Sequence, residues 1–200
     1  FLVRFFQLVF FFSFIYSQPD VKYRGSITSL LTPTGIKVDN NGIVYASTVG
    51  GLLQFSPEKK EFSFIKDNQG LEYLDLNTIN IDQMNRIWLG GAAPEGCLQV
   101  YDPSVGFLEY YFEDDLVSSI NKIEISDSFA FAVYNGTTSG VVGILEFIID
   151  ENGNPDYKDY YENFSSLSIT DIYDLDIVQD SIYVTTDQGI FAGKYTDDLK

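Results

Sequence analysis

Four stretches of the chain repeat one arrangement of apolar and polar positions. Residues 36–48 read IKVDNNGIVYAST: a short alternating run, a polar turn, then a nearly continuous apolar run. Residues 79–91 (INIDQMNRIWLGG), 123–134 (IEISDSFAFAVY) and 175–186 (LDIVQDSIYVTT) follow the same course. Anchored on Val38, Ile81, Ile125 and Ile177, the copies lie 43, 44 and 52 residues apart, the last interval widened by ENGNPD at 151–156. Period-2 alternation argues for half-buried strands, and unbroken apolar runs of this length argue for strands buried on both faces.

Each copy resolves into several strands separated by turn residues. In the first, Ile36–Val38, Ile43–Thr48, Leu52–Ser56 and about Glu61–Lys66 are predicted strands, punctuated by Asp39-Asn40-Asn41-Gly42, Gly50-Gly51 and Pro57–Lys60. The second offers Arg86–Gly90, Cys97–Tyr101 and Phe107–Phe112 after its opening strand. The third offers Phe129–Tyr134, Val141–Phe147 and Tyr157–Tyr161, and the fourth Ile182–Thr186 and Ile190–Tyr195. Four strands repeating every 40–45 residues or so is the period of a β-propeller blade, whereas helical repeats of that length need sustained 3.6-residue periodicity. The fold expected is therefore all-β: a β-propeller of about four blades of four antiparallel strands, at 36–66, 79–112, 123–161 and an incomplete 172–200. Ala46, Gly90 and Ala132 are expected where neighbouring blades crowd together.

Two arrangements of these blades compete. Residues 22–30, KYRGSITSL, could supply the missing outer strand of the fourth blade and close a small ring. Alternatively, and preferred here, the blades form an arc of a larger propeller. An open arc leaves two apolar faces in water, which invites association.

The first segment differs in kind. Arg4 precedes an apolar run over Phe5–Tyr16, broken by Gln7 and Ser13, and Ser17-Gln18-Pro19 follows. A basic start, a short apolar stretch and a small residue before Gln18 describe a signal peptide over 1–17, with 18–200 as the propeller segment. The run is too short for a good membrane span, so no membrane-spanning part is expected in the mature segment.

Composition narrows the choice of partners. With 12 basic and 29 acidic residues the formal net charge is −17, which repels phosphate backbones and excludes nucleic acid as a natural partner. There is no His and one Cys, Cys97. The commonest general base is missing, disulfides within the chain are impossible, and Cys97 reads as a small core residue.

Few residues suggest chemistry. Asp39, Asp82, Asp127 and Asp180 recur at the first hairpin of each copy; turn geometry that wants Asp, Asn, Ser or Gly accounts for them better than a ring of ligands does. Trp88 occupies a second-strand position filled elsewhere by Tyr45, Phe131 and Tyr183, a packing position. Asp150–Asp156 spaces side-chain oxygens as calcium loops do, but Tyr161 stands where the closing Glu belongs and Gly153 is two places early. A long hairpin explains it better. Ala92–Gly96 lengthens a loop that is tight in the first copy, which marks a possible recognition loop. Asn135–Thr137 and Asn163–Ser165 match glycosylation acceptors. No catalytic, cofactor or metal residue is assigned.

Residues 67–91, DNQGLEYLDLNTINIDQMNRIWLGG, resemble the two-component regulator propeller repeat through Gly70-Leu71, Asn77, Ile81-Asp82, Ile87-Trp88 and Gly90. Asn85-Arg86 stands where that repeat has its Gly, and Gly91 replaces its Thr. The first copy keeps Asp39, Gly42, Thr48 and Gly51-Leu52, and the fourth keeps Thr186 and Gly189. DSIYVTTDQGIF is also similar to propellers of type IX secretion accessory proteins. The resemblance implies an exported protein, periplasmic, surface-bound or secreted, with no shared catalytic residues. Three functions follow as expectations. The first is a non-enzymatic sensing or scaffolding module that holds a protein, small molecule or glycan on one face. The second is a surface-assembly or type IX secretion accessory module. The third is a propeller lyase or hydrolase, disfavoured because His is absent and Arg is scarce.

Overall fold

The computed structural model describes residues 32–92, 95–162 and 166–194; the expected leader at 1–17 and the possible closing strand at 22–30 lie outside them. Among the described residues, fifteen strands form four antiparallel sheets, each a simple meander in chain order. Sheet one holds β1 (Pro33–Val38), β2 (Val44–Thr48), β3 (Gly51–Ser56) and β4 (Glu61–Ile65). Sheet two holds β5 (Leu76–Ile81), β6 (Ile87–Gly91), β7 (Cys97–Asp102) and β8 (Phe107–Glu113). Sheet three holds β9 (Val117–Ile125), β10 (Phe129–Gly136), β11 (Val142–Ile149) and β12 (Pro155–Tyr161). Sheet four holds β13 (Ile172–Val178), β14 (Ser181–Thr186) and β15 (Gly189–Lys194). A 3-10 turn, Asp67–Gln69, lies between sheets one and two. No helix among the described residues is long and apolar enough to cross a membrane.

The first strands begin earlier than the apolar alternation indicates: at Pro33, Leu76 and Val117 rather than Ile36, Ile79 and Ile123. The added residues are mostly polar or small, and each of these strands carries a bulge against its partner, which breaks the period-2 pattern. Polar side chains of the first strands reach across to the next sheet. Thr34 Oγ1 donates to the Leu76 carbonyl at 2.7 Å, Asn80 Nδ2 to the Ile123 carbonyl at 2.8 Å, and Lys122 Nζ lies 2.8 Å from Asp174 Oδ1. First strand is thus tied to first strand through the whole series, β1 to β5, β5 to β9 and β9 to β13.

Three apolar layers fill the spaces between successive sheets. Tyr45, Leu52 and Ile65 of sheet one meet Ile79, Ile87, Leu89 and Tyr101 of sheet two. On its other face sheet two presents Trp88, Leu98 and Val100 to Ile120, Ala132, Tyr134 and Phe147 of sheet three. Sheet three then presents Phe131, Val133 and Ile144 to Leu175, Ile182 and Val184 of sheet four. Consecutive residues of β6 and β10 therefore point to opposite layers, both dry. That is why these second strands read as continuous apolar runs. The middle layer is the most aromatic: the Phe147 ring packs edge-on against Trp88, Tyr110 and Phe112, with centroids 6.4, 6.2 and 5.3 Å away. Such pairs add about 0.5–1.5 kcal/mol each beyond the area they bury.

Close approach of the sheets demands small residues at particular places. A Cβ on Gly90 would stand 2.6 Å from Ile120 Cγ2 and 2.7 Å from Thr78 Cγ2, and one on Gly35 would stand 2.8 Å from Ile79 Cγ2. Ala132 is fully buried in the middle layer. Ala46 departs from expectation: it lies on the outer face of sheet one, beside Val44 and Leu53, where no other described sheet meets it.

Gly90→Ala and Gly42→Ala separate two reasons for glycine. Gly42 has φ +78° and open space around it, so alanine there costs only the left-handed backbone, about 1–2 kcal/mol. Gly90→Ala forces sheets two and three apart, at about 1–3 kcal/mol. Combining it with Ile120→Ala should recover part of the Gly90→Ala loss but none of the Gly42→Ala loss. Urea unfolding midpoints check this, and a Gly90→Ala midpoint equal to wild type would contradict the inter-sheet contact.

Candidate functional site

The recurring first-hairpin aspartates share a sequence position but not a structural role. Asp39 Oδ1 accepts hydrogen bonds from the amides of Asn41 (2.9 Å) and Ile43 (2.8 Å), and Asp82 Oδ1 from those of Met84 and Arg86 (both 2.9 Å). Asp150, at a different hairpin, binds Asn152 and Asn154 in the same way, at 2.9 and 2.7 Å. In all three turns the residue three places on has positive φ: Gly42, Asn85 and Gly153. Asn85 substitutes for glycine there because Asn tolerates the left-handed region. Asp127 does not build its turn; it accepts from the Gln83 side-chain amide, while Ser126 Oγ closes the hairpin on Phe129. Asp180 pairs with Lys194 at 2.9 Å. The four are turn and surface groups, not a ring of ligands.

Asp82 does more than its turn requires. Its Oδ2 accepts from Trp88 Nε1 at 2.9 Å and from Arg86 Nε at 2.8 Å. Arg86 is buried and its other nitrogens reach Glu109 Oε2 (3.2 Å) and the Gly153 carbonyl. A guanidinium taken out of water needs this many partners to be tolerated. The sequence signal was weak: Arg86 reads as the polar start of an apolar strand, and its partners Glu109 and Gly153 lie 23 and 67 residues away.

The loop around Asp150 folds over this arginine. Both carboxylate oxygens of Asp150 are occupied by Asn152 and Asn154, the Asn154 bonds first among the causes that hold its carboxyl below the ordinary range. Pro155 and Asp156 already belong to β12. The segment is a hairpin with an aspartate-stapled turn, and no group of three or more His, Cys, Asp or Glu among the described residues is placed to hold a metal ion.

Between the hairpin ends of sheets two and three lies a cleft of about 200 Å³, bounded by Asp82, Gln83, Met84, Arg86, Asp127, Ile149, Asp150 and Glu151. Its floor, the Asp82–Arg86 pair, is closed by internal bonds. Its rim carries Asp127, Asp150 and Glu151 beside the thioether of Met84. Such a rim can accept hydrogen bonds from hydroxyl or cationic groups and has an apolar contact to offer. It presents no activated nucleophile and no carboxyl pair sharing a proton.

Other marked residues are structural or peripheral. Burial, with Glu113 and Asp75 nearby, pushes the Cys97 thiol up to about 12, so it stays an unreactive core thiol. Gln99, fully buried in β7, accepts from the amides of Glu72 and Tyr73 and donates to the Tyr73 carbonyl. It clamps the connection from sheet one, a role invisible in the sequence. Of the loop at 92–96, Ala92 N bonds the Asp75 carbonyl and Gly96 N the Val117 carbonyl; 93–94 lie outside the described residues. Asn135 of the first glycosylation match is exposed on β10, and the second match, 163–165, lies outside them.

No protein-family model matches the chain, and no curated protein matches its sequence. Solved structures do. The surface component PorZ of the type-IX secretion system of Porphyromonas gingivalis aligns over 85% of this chain, with TM-score 0.63 and 16% identity. The extracellular domain of the hybrid two-component system BT4673 from B. thetaiotaomicron aligns over 81%, with TM-score 0.60 and 18% identity. The chain shares their fold. It spans only 26% and 22% of those two chains, so the likeness concerns the sheets and their stacking, not the complete proteins.

Removal of Asp82 should be far more damaging than removal of the other hairpin aspartates. Asp82→Ala strands a buried guanidinium, at about 3–5 kcal/mol. Asp39→Ala loses two turn bonds, about 1 kcal/mol, and Asp127→Ala should stay within about 0.5 kcal/mol. Chemical denaturation of the three variants reads the order directly; equal losses would return all of them to a common turn role.

Proposed function

We propose that the chain is a four-blade arc of an exported β-propeller that holds a ligand or partner at the hairpin end of its sheets and performs no catalysis. The observation that carries this reading is the series of four meander sheets tied first strand to first strand. This architecture presents loops from every sheet on a common end. Residues 1–17 serve as the signal peptide, and the mature chain begins at or near Gln18. Similarity to an extracellular sensor-system domain and to a surface component of a secretion system supports an address outside the cytoplasm. A high negative charge suits that setting and argues against nucleic acid.

The cleft between sheets two and three is the favoured site, for a hydroxyl-rich small molecule, a glycan or a basic peptide. Asp127 and Glu151 would engage such a ligand. Asp82 and Arg86 would position the rim without touching it. A second role, as a surface-assembly or secretion accessory module, rests on the likeness to PorZ and predicts a protein partner instead.

Two measurements test the reading. N-terminal sequencing of exported protein should begin at or near Gln18, and an intact N-terminus held in the membrane would overturn export. Calorimetry against oligosaccharide and basic-peptide panels should find saturable binding, weakened at least tenfold in Asp127→Ala/Glu151→Ala and unaccompanied by ligand turnover. Binding indifferent to those changes would move the site elsewhere, and conversion of the ligand would overturn the non-catalytic role.

A further inference from the structure

Every first strand breaks its ladder at the same step. In β1, β5, β9 and β13 the register shifts across Thr34, Asn77, Asn121 and Tyr173. Each stands four residues before the anchor of its repeat, Val38, Ile81, Ile125 or Ile177. In an unbroken strand the side chains alternate between the two faces of the sheet. A bulge leaves one residue unpaired and re-aims its side chain. Ile120 is buried in the middle layer, whereas Asn121, the next residue, is exposed. Asn77 is half-buried, and its Nδ2 donates to Asn121 Oδ1 at 3.2 Å. Joining sheet two to sheet three does not require these bulged amides, since Asn80 already bonds the Ile123 carbonyl from a regular ladder position.

The bulges gather on the inner edge of the stack. Near the first strands, the gap between sheets two and three has room only for Gly90. Between the fourth strands β8 and β12 it takes the stacked rings of Phe112 and Tyr157, with centroids 4.9 Å apart. The sheets therefore splay from first strand to fourth, and the bulged side chains sit where they converge. Asn77 lies near the start of β5, about 15 Å along the strand from Asp82 and the cleft. Sheets two and three are covered on both faces by described neighbours, so nothing beyond sheet one or sheet four stacks on the two asparagines.

The chemistry offered there is neutral. None of the four bulged residues carries a charge, and the adjacent Lys122 is held by Glu124 and Asp174 at 3.1 and 2.8 Å. Asn77 Oδ1 and Asn121 Nδ2 have no hydrogen-bond partner among the described residues. One acceptor and one donor thus stand side by side. We propose that this inner edge is a second binding site, for a neutral saccharide. One ring hydroxyl donates to Asn77 Oδ1, and its neighbour on the sugar accepts from Asn121 Nδ2. A hydroxyl can do both, so two adjacent hydroxyls match the pair with no charge to desolvate. Tyr173 follows Asn121 in the series and supplies an aromatic face for the apolar side of the sugar. The proposal does not rest on the cleft or on its ligand.

Titration calorimetry with linear tetrasaccharides of glucose, mannose and xylose tests it, on protein purified from expression of the whole chain. Asp127→Ala/Glu151→Ala removes the carboxylates of the cleft, and the binding that remains in this variant is expected at the inner edge. Adding Asn121→Asp keeps an oxygen to accept from Asn77 but removes the donor that faces the ligand. That change should weaken the remaining binding about tenfold and leave the urea midpoint where it was. An amide pair that only joins the sheets would show no such loss. Asn77→Ala/Asn121→Ala should abolish the remaining binding; if either variant unfolds, Asn77→Ser serves in its place. Absence of tetrasaccharide binding in Asp127→Ala/Glu151→Ala would overturn the proposal. So would remaining binding indifferent to Asn121→Asp, or an inner edge that takes an uncharged peptide and no saccharide. Binding lost with the two asparagines but indifferent to Asp127 and Glu151 would uphold this site and sink the cleft, so the two readings fail independently.

Discussion

A four-stranded meander with apolar residues on both faces cannot stand alone in water; each face must be covered by another sheet. That constraint governs the rest of the molecule. It makes β6, and β10 from Phe129 to Tyr134, a continuous apolar run, because alternate residues serve different layers. It requires glycine at position 90, where side chains from two directions would otherwise collide. It also places an aromatic residue at the centre of each forward face, where one large side chain covers the most area at the fewest rotatable bonds. The polar residues of the first strands obey the same constraint, since a sheet edge pressed against its neighbour needs its polar groups bonded across the gap. Thr34, Asn80 and Lys122 do this.

Function, on this view, belongs to the ends of the sheets rather than to their packed faces. The Asp82–Arg86–Trp88 cluster sits where packing gives way to loops. One carboxylate there staples a turn, orients an indole and neutralises a buried guanidinium. The loop at 150–154 is held down by the same arginine, so the shape of the neighbouring cleft depends on an ion pair that does not itself face a ligand. This division between a buried pair that sets the walls and exposed carboxylates that meet the solvent suits a binding site built on a rigid scaffold.

Much of the strand pattern was legible because it is written in local terms. The period, the Asp-x-x-Gly turns and the apolar second strands each depend on residues within a few positions of one another. The beginnings of the first strands were not legible, since bulges and inter-sheet hydrogen bonds hide them behind polar residues. The shared look of Asp39, Asp82, Asp127 and Asp180 misled for a related reason. Sequence records the residue type at a hairpin, but whether its oxygens meet backbone amides, an arginine or a neighbouring hairpin depends on contacts as distant as Arg86 to Gly153. Gln99 reads as a polar interruption in a strand, and only the folded connection above it explains why it is buried. Ala46 shows the limit of reasoning by analogy between copies: its counterparts are covered, and it is not.

Native-state hydrogen exchange tests the central claim, that burial on both faces by neighbouring sheets holds the structure together, most directly. Under dilute, monomeric conditions the amides of β6 and β10 should be the last to exchange, at rates set by global unfolding. Those of β4 should exchange orders of magnitude faster, because among the described residues sheet one is covered on one face only. Protection of β4 equal to that of β10 in the monomer, or rapid exchange in β6, would contradict the account.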